Sequence, residues 1–262
     1  MMSVEIFPAA MQMSEAAAKL FAARAAGAVS ARGRFIAALS GGKTPVGIYS
    51  LLAKAPFASQ IPWARVHLFW ADERCVPPDH ADSNYRLVRE LLLDYVPIPA
   101  ANVHRIPAEM DPVEAAARYE GQLREFFAPH GDGFPVFDCI LLGLGDDGHT
   151  ASLFPNTPRL REESSPVIAS RSPVSPVHRV SLSLRSINAA RCVLFLTLGK
   201  HKSVAVARVM DQLGREDAHL PAAMVNPERG ALVWFLDYDA AALLNRESGA
   251  VSTENTTAPA KA

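Results

Sequence analysis

Residues 141–155 of the chain read Leu-Leu-Gly-Leu-Gly-Asp-Asp-Gly-His-Thr-Ala-Ser-Leu-Phe-Pro, and they continue an apolar run that begins at Phe137. The apolar run is typical of a short buried strand. Glycines allow the backbone to turn sharply where the run ends. In open α/β proteins, ligands bind at the carboxyl ends of the strands. We therefore predict that His149 lies at such an edge, where an imidazole can transfer protons near neutral pH.

The same turn also fits a dinucleotide-binding motif by its letters alone. Residues 143–148 match G-x-G-x-x-G, and Glu163 supplies an acidic residue at the spacing that the motif requires. The motif also requires a helix after the turn and the acidic residue at the end of a second strand. Here Pro155 interrupts the helix, Glu163 lies in a polar loop, and two carboxylates inside the turn would repel a pyrophosphate. The sequence therefore argues against a dinucleotide site.

The composition favours a protein that acts on a small molecule. The chain has 262 residues, of which 49% are hydrophobic, and this is enough for one large α/β domain. Its net charge of −1 gives no electrostatic basis for binding nucleic acid or an anionic membrane. The cysteines show no metal-type spacing, and the sequence shows neither a signal peptide nor an apolar run of the roughly 20 residues that span a bilayer. We therefore predict a cytoplasmic monomer or small homo-oligomer, with no metal, nucleic-acid or membrane partner.

Strand-like and helix-like segments alternate along the chain, which is typical of a parallel or mostly parallel sheet flanked by helices. Strands are predicted at residues 4–7, 35–39, 66–70, 137–142, 180–184, 192–198 and 232–236. Helices are predicted at residues 14–32, 44–53, 84–93, 112–127, 201–213 and 239–244. Thr44 is the predicted N-cap of the second helix, and the segment 154–178 is predicted to be a loop. We expect one α/β domain over residues 1–245, with an open Rossmann-like sheet, and a disordered tail over residues 246–262.

Four of the predicted strands end in polar loops, and such loops would converge on one cleft. The first loop consists of Ser40, Gly41, Gly42, Lys43 and Thr44. It is not a nucleotide-binding Walker loop, because that motif would need glycine where Ala37 stands. Its backbone N–H groups, its hydroxyls and the helix that follows are suited to binding a single phosphate. The same residues also fit an ordinary glycine turn with a helix cap.

The second loop contains Asp72, Glu73 and Arg74, with Asn84 further along the chain. Arg74 can hold an anionic or hydroxyl-rich ligand. A solvated loop with internal salt bridges would show the same pattern.

The third loop carries His149, with Asp147 two residues before it in position to orient the imidazole. The alternative is a loop histidine that only makes structural hydrogen bonds. Ser152 lacks the G-x-S-x-G surroundings of a hydrolase nucleophile.

The fourth loop follows the strand predicted at residues 192–198 and contains Gly199 and Lys202. A glycine followed by lysines at a helix start suits a phosphate, and Arg179 is a candidate to join this group. Ordinary surface lysines are the alternative.

Three blocks of sequence, in this order, make the chain resemble the 6-phosphogluconolactonase family, which is related to glucosamine-6-phosphate deaminase. The blocks are residues 39–45, residues 70–85 with their Trp-Ala-Asp-Glu-Arg and Ser-Asn-Tyr stretches, and residues 143–155. The deaminases look different after the histidine and have a tyrosine where Arg74 stands. Here Arg74 and residues 150–155 both follow the lactonase pattern.

The resemblance implies hydrolysis of 6-phospho-D-glucono-1,5-lactone to 6-phosphogluconate, a step of the oxidative pentose phosphate pathway that needs no cofactor. It implies a fold of the glucosamine-6-phosphate isomerase type. In this reading His149 is the base that activates water, and Arg74 or backbone N–H groups stabilise the oxyanion. Either Asp147 or Asp72 positions the imidazole or the sugar hydroxyls. The phosphate would be held by the first loop, Arg179 and Lys202, and Asn84 would contact the substrate.

Three other functions fit parts of the sequence. A glucosamine-6-phosphate deaminase would share the fold and the Asp-Gly-His core. A sugar-phosphate sensor would bind without catalysis, although sensors of this fold usually carry an added DNA-binding domain, and the segment before the first loop is too short for one. A kinase or dehydrogenase is disfavoured by Ala37 and by the acidic pair at residues 146–147.

Overall fold

A seven-stranded sheet, parallel throughout, forms the centre of the computed structural model, which describes residues 2–127, 134–162 and 164–244. The strands of the chain are β1 (Met2–Phe7), β2 (Phe35–Leu39), β3 (Val66–Trp70), β4 (Asp72–Arg74), β5 (Val103–His104), β6 (Cys139–Leu142), β7 (Val167–Arg171), β8 (His178–Leu182), β9 (Cys192–Thr197) and β10 (Ala231–Asp237). The helices are α1 (Ala10–Arg32), α2 (Val46–Leu52), α3 (Phe57–Gln60), α4 (Asn84–Leu91), α5 (Pro112–Phe127), α6 (Leu184–Asn188) and α7 (Ser203–Gln212). The main sheet has the order β1-β10-β9-β6-β2-β3-β5.

The inner strands are apolar because both faces of the sheet are covered. Every residue of β2, β6 and β9 is buried, so side chains pointing to either face are removed from water. Continuous hydrophobic runs of this kind are typical of parallel strands packed on both sides. The rings of Phe195 and Trp234 on adjacent strands stack with their centroids 3.8 Å apart. The open, mostly parallel sheet predicted from the sequence is therefore confirmed.

The strand order reverses between β2 and β6, which are neighbours in the sheet. After β2 the chain continues outward to β3 and β5, whereas after β6 it continues in the other direction to β9 and β10. Open α/β sheets bind ligands at such a switch point, outside the carboxyl ends of the strands. The first and third predicted loops follow β2 and β6, so the topology places both of them at this crevice.

A second, smaller sheet extends the molecule beyond the end of β3. It is antiparallel with the order β4-β8-β7, and β4 starts one residue after β3 ends. The intervening Ala71 donates a backbone hydrogen bond to Leu39 and accepts one from Leu182, so it links the two sheets. Asp72 and Arg74 therefore project from a paired strand rather than from a loop.

Three predictions about local structure were wrong. Residues 154–178 include the strand β7, whose pairing with β8 outweighs the loop signal of the flanking Pro and Ser residues. Thr44 is not an N-cap, because α2 begins at Val46 after Pro45 and has no side-chain cap. Residues 239–244 form turns instead of a helix, with the Asp237 carboxylate accepting a hydrogen bond from the Ala240 N–H.

The helix predicted at residues 112–127 is confirmed with the same bounds. The strand predicted at residues 180–184 ends at Leu182, because the hydroxyl of Ser183 accepts a hydrogen bond from the Ser186 N–H and caps α6. Glu163 and the tail at residues 246–262 lie outside the described residues. None of the helices in the described part of the chain combines the length and the apolar character that a membrane crossing needs.

Candidate active site at the switch point

One cleft with a volume of about 490 Å³ lies at the carboxyl edge of the main sheet. Residues of all four predicted loops line it. The predicted site residues in its lining are Ser40, Gly41, Gly42, Lys43, Thr44, Asp72, Arg74, Asn84, His149 and Lys202. His201 also lines the cleft and was missed, because a histidine beside two lysines carries no distinguishing signal in the sequence. The predicted convergence of the four loops on one cleft agrees with the structure.

The loop after β2 presents backbone donors to the cleft. In the described part of the chain, no group accepts a hydrogen bond from the N–H of Gly41, Gly42, Lys43 or Thr44. Gly42 has a φ of 92°, a conformation that favours glycine. The hydroxyl of Ser40 donates to the carbonyl of Leu141 at 2.8 Å, so it joins this loop to the end of β6. The loop therefore has backbone N–H groups without a protein acceptor at the cleft, and such groups can bind phosphate oxygens.

Glu73 organises the second part of the cleft, although no role in the site was predicted for it. Its buried carboxylate accepts hydrogen bonds from the backbone N–H groups of Arg74, Asn84 and Tyr85 and from the hydroxyl of Ser83. Burial raises the pKa of Glu73 to about 7, against the opposing effect of these donors. Because the first turn of α4 is bound to this carboxylate, Asn84 and Arg74 have fixed positions beside each other.

Asp72 is buried and is held by two neighbours. Its Oδ2 accepts a hydrogen bond from the hydroxyl of Ser152 at 2.7 Å, and its Oδ1 accepts one from the amide of Asn84 at 3.3 Å. The Oδ1 of Asn84 is itself buried and has no partner within the described residues. Gly41 makes this arrangement possible, because any Cβ at that position would collide with the Asn84 side chain. The amide of Asn84 thus holds the Asp72 carboxylate, while its own oxygen is enclosed beside Gly41.

His149 is paired with Asp147, the nearer of the two carboxylates considered from the sequence. The distance from the imidazole Nδ1 to Asp147 Oδ1 is 2.6 Å, and the same oxygen accepts the backbone N–H of His149 at 3.0 Å. The hydrogen bond from His149 lowers the pKa of Asp147 to about 2. A carboxylate on Nδ1 assigns the proton to that nitrogen and leaves Nε2 as the free, basic nitrogen of the neutral ring.

The glycines of this loop make room for the imidazole. A Cβ at Gly145 would overlap the ring of His149, and Gly148 has a φ of 87°. The imidazole also contacts Phe154, with 4.7 Å between the ring centroids. Contacts with the loop and with an aromatic side chain therefore limit the position of the ring, while the His149 side chain keeps an exposed fraction of 33%.

The fourth loop positions an ammonium group in the cleft. Gly199 has a φ of 91°, and its N–H donates to both carboxylate oxygens of Asp237. The 3₁₀ turn Lys200–Lys202 follows and leads into α7. Lys202 is largely buried, and its Nζ lies 2.7 Å from the carboxylate of Asp146.

Arg179 was predicted to join the loop of Lys202, but it lies on the second, smaller sheet. It belongs to β8, where its backbone pairs with Arg74, so it lies beside Arg74. The residue is buried, and burial followed by the nearby charge of Arg74 lowers its pKa. Its Nη1 has no partner within the described residues, and Arg179 is not among the residues that line the cleft. Asp147 likewise supports the lining from behind His149 rather than forming part of it.

The fold and the cleft define a doubly wound α/β protein with an imidazole and a glycine-rich loop at its switch point. The profile of the family described as "Glucosamine-6-phosphate isomerases/6-phosphogluconolactonase" matches residues 8–234. The chain belongs to this family.

Individual relatives agree with that assignment. A 6-phosphogluconolactonase from Homo sapiens is 43% identical over 248 residues, with 92% of this chain and 93% of the relative covered. A 6-phosphogluconolactonase from Nostoc sp. is 38% identical over 244 residues, with 93% and 98% covered. The solved structure of a 6-phosphogluconolactonase from Trypanosoma cruzi superposes with a TM-score of 0.82 at 29% identity, with 93% of this chain and 97% of that chain covered.

Proposed function

We propose that this protein is a 6-phosphogluconolactonase, which hydrolyses 6-phospho-D-glucono-1,5-lactone to 6-phosphogluconate in the oxidative pentose phosphate pathway. The names of its relatives support this activity. The observation that carries the proposal is the placement of His149, backed by Asp147, in the same cleft as Lys202 and the N–H groups of the loop after β2. A phosphate held at one end would leave the lactone ring within reach of the imidazole.

The phosphate end of the substrate binds to the loop after β2. The N–H groups of Gly41, Gly42, Lys43 and Thr44 donate to its oxygens, and the side chains of Lys43 and Lys202 neutralise its charge. This end of the cleft makes the same contacts with substrate and transition state, so it contributes mainly to binding.

His149 acts as the general base. Its Nε2 removes a proton from a water molecule, and the oxygen of that water attacks C1 of the lactone to give a tetrahedral intermediate. Asp147 holds the ring through Nδ1 and stabilises the imidazolium that forms. When the intermediate collapses, the bond between C1 and the ring oxygen breaks. The imidazolium returns its proton to that oxygen, which leaves as a hydroxyl of the open-chain acid.

Arg74 and the buried polar pair act on the lactone and its hydroxyls. The guanidinium of Arg74, fixed by a hydrogen bond of 2.6 Å from its Nη1 to the carbonyl of Asp82, stabilises the oxyanion of the intermediate. Asp72, held by the amide of Asn84, accepts hydrogen bonds from sugar hydroxyls. Arg179 adds positive charge behind Arg74 and does not need to touch the substrate. No metal or redox cofactor takes part in this scheme.

The test is a lactonase assay with a histidine variant. The lactone is generated in situ, its spontaneous hydrolysis is subtracted, and the remaining rate is compared for the wild type and His149→Gln. Loss of the general base should lower kcat by about 10²–10⁴-fold. Inorganic phosphate should still bind with little change, because its site does not include the imidazole.

His178→Gln is the matched control, since His178 is exposed on β8 and does not line the cleft. It should retain wild-type turnover. Undiminished kcat in the His149 variant would remove this residue from the mechanism. Release of ammonia from glucosamine 6-phosphate, with no lactone hydrolysis, would instead show the deaminase activity. The cytoplasmic location and the monomeric or small homo-oligomeric state stay predictions from the sequence.

A further inference from the structure

The carboxylate of Asp146 is paired with the ammonium group of Lys202. The proposed function assigns this ammonium group to the phosphate. Its carboxylate lies 2.7 Å from Lys202 Nζ, and both residues line the cleft. The Lys202 side chain is only 17% exposed, whereas that of Asp146 is 72% exposed. A solvent-exposed carboxylate is thus paired with an ammonium group that is largely buried.

The two neighbouring carboxylates of this loop have different partners. Asp147 binds His149 and supports the imidazole from outside the cleft lining. Asp146, the next residue along the loop, enters the lining and pairs with the lysine of the opposite loop. No step of the proposed hydrolysis uses Asp146. Its position instead affects whatever anion approaches Lys202.

A phosphate that approaches Lys202 meets this carboxylate in one of two ways, and both oppose binding. It must either displace Asp146 from the ammonium or accept a like charge beside it. A singly charged anion that only replaces the carboxylate gains little. A dianionic phosphate monoester brings more charge and can also use the N–H groups of Gly41 to Thr44, so it can replace Asp146 with a net gain.

We propose that Asp146 is a specificity-determining residue, a displaceable counter-ion that keeps Lys202 from ambient anions and yields it to a phosphate monoester. The inference rests on the proposed role of this cleft as a phosphate site. Removal of the Asp146 charge should therefore tighten the binding of phosphate. The expected factor is about fivefold, which is what a partly exposed ion pair of about 1 kcal/mol gives.

The experiment measures the binding of inorganic phosphate by calorimetry at low ionic strength, for the wild type and Asp146→Asn. We expect the Kd of the variant to be about fivefold lower, and the difference to shrink at high salt because screening weakens the charge interaction. The KM for the lactone should fall by a similar factor, with kcat nearly unchanged. The exposed position of Asp146 makes a folding defect unexpected, and a thermal melt checks this.

Two further variants separate a local effect from a general change in charge. Asp146→Glu keeps the carboxylate and should restore a Kd near that of the wild type. Asp211→Asn removes a similarly exposed carboxylate of α7, which is paired with Arg215 and does not line the cleft, so it should leave the Kd unchanged. An unchanged Kd in Asp146→Asn, or an equal decrease in Asp211→Asn, would overturn the proposal. Because calorimetry needs no turnover, tighter phosphate binding without lactone hydrolysis would refute the lactonase activity and not the role of Asp146.

Discussion

Replacement of Ser152 by alanine tests whether this serine serves the architecture of the site or its chemistry. The hydroxyl of Ser152 donates to the buried carboxylate of Asp72 at 2.7 Å. Ser152 lacks the sequence surroundings of a nucleophile, and in the structure its hydroxyl proton is donated to Asp72. In Ser152→Ala, the Oδ2 of Asp72 loses this donor while it stays buried.

The magnitude follows from the type of bond that is lost. A hydrogen bond to a charged group contributes about 1.5–3 kcal/mol, and a buried acceptor left without its donor carries its full desolvation cost. We expect the free energy of unfolding to fall by about 2 kcal/mol. For a domain of this size, that corresponds to a decrease in Tm of about 4–8 °C. The kcat should fall by less than about tenfold, because Asp72 also keeps its hydrogen bond to Asn84.

Urea denaturation and the lactonase assay on the same samples give both numbers. Ser170→Ala is the matched control, because the Ser170 hydroxyl donates to the backbone carbonyl of Ser152 at 2.7 Å, a neutral acceptor. That variant should lose about 1 kcal/mol. Equal losses in the two variants would show that the charge of Asp72 does not strengthen the bond. A loss of turnover of 10³-fold or more, with unchanged stability, would make Ser152 part of the chemistry.

Two further outcomes follow from the loops that hold Arg74 and His149. The pKa of Glu73 is about 7 in the folded protein against an ordinary value of 4.5, so the folded state keeps a proton that the unfolded chain has released. The stabilisation that this proton contributes is therefore complete below pH 4.5 and is lost as the pH rises through 7, by at most about 3 kcal/mol. Relative to Glu73→Gln, whose amide does not titrate, the wild type should lose stability in urea titrations between pH 4.5 and 8; a constant difference would contradict this account. Gly145→Ala should lower kcat by about 10²-fold, because the new methyl group displaces the imidazole and a misplaced catalytic group slows a reaction by this order. Gly121→Ala is the control and should retain full turnover, because the new methyl group meets no atom within 4 Å. A fully active Gly145→Ala enzyme would show that the ring position tolerates the shift.

The parts of the fold that could be predicted from the sequence are those that local pattern and parallel topology determine. The buried strands appear in the sequence as apolar runs. The helix Pro112–Phe127 has apolar residues at helical spacing over its whole length. The convergence of the four loops follows from a single rule, that carboxyl ends of parallel strands share one edge. Ser40 and Lys202 are distant along the chain, and both could therefore be assigned to one cleft.

The parts that could not be predicted depend on pairing between distant segments. The strand Val167–Arg171 exists because it pairs with His178–Leu182, and its own sequence lies among the prolines and serines of a loop. The same is true of the hydrogen bond between Ser152 and Asp72, which are 80 residues apart in the sequence. Side-chain partners such as Asp146 for Lys202 are also invisible to local pattern, because several carboxylates of the four loops could have served.

The small antiparallel sheet contributes two residues to the candidate site. Asp72 and Arg74 lie on its strand β4, which pairs with Ser181 and Arg179 of β8. The hydroxyl of Ser181 accepts the backbone N–H of Ser152, the residue whose side chain holds Asp72. The groups proposed to act on the lactone ring thus depend on the small sheet, whereas the loop proposed to bind phosphate depends on the main sheet through the bond from Ser40 to the end of β6. Changes in the small sheet should therefore affect kcat more than KM for the phosphorylated substrate, and changes around Ser40 should do the reverse.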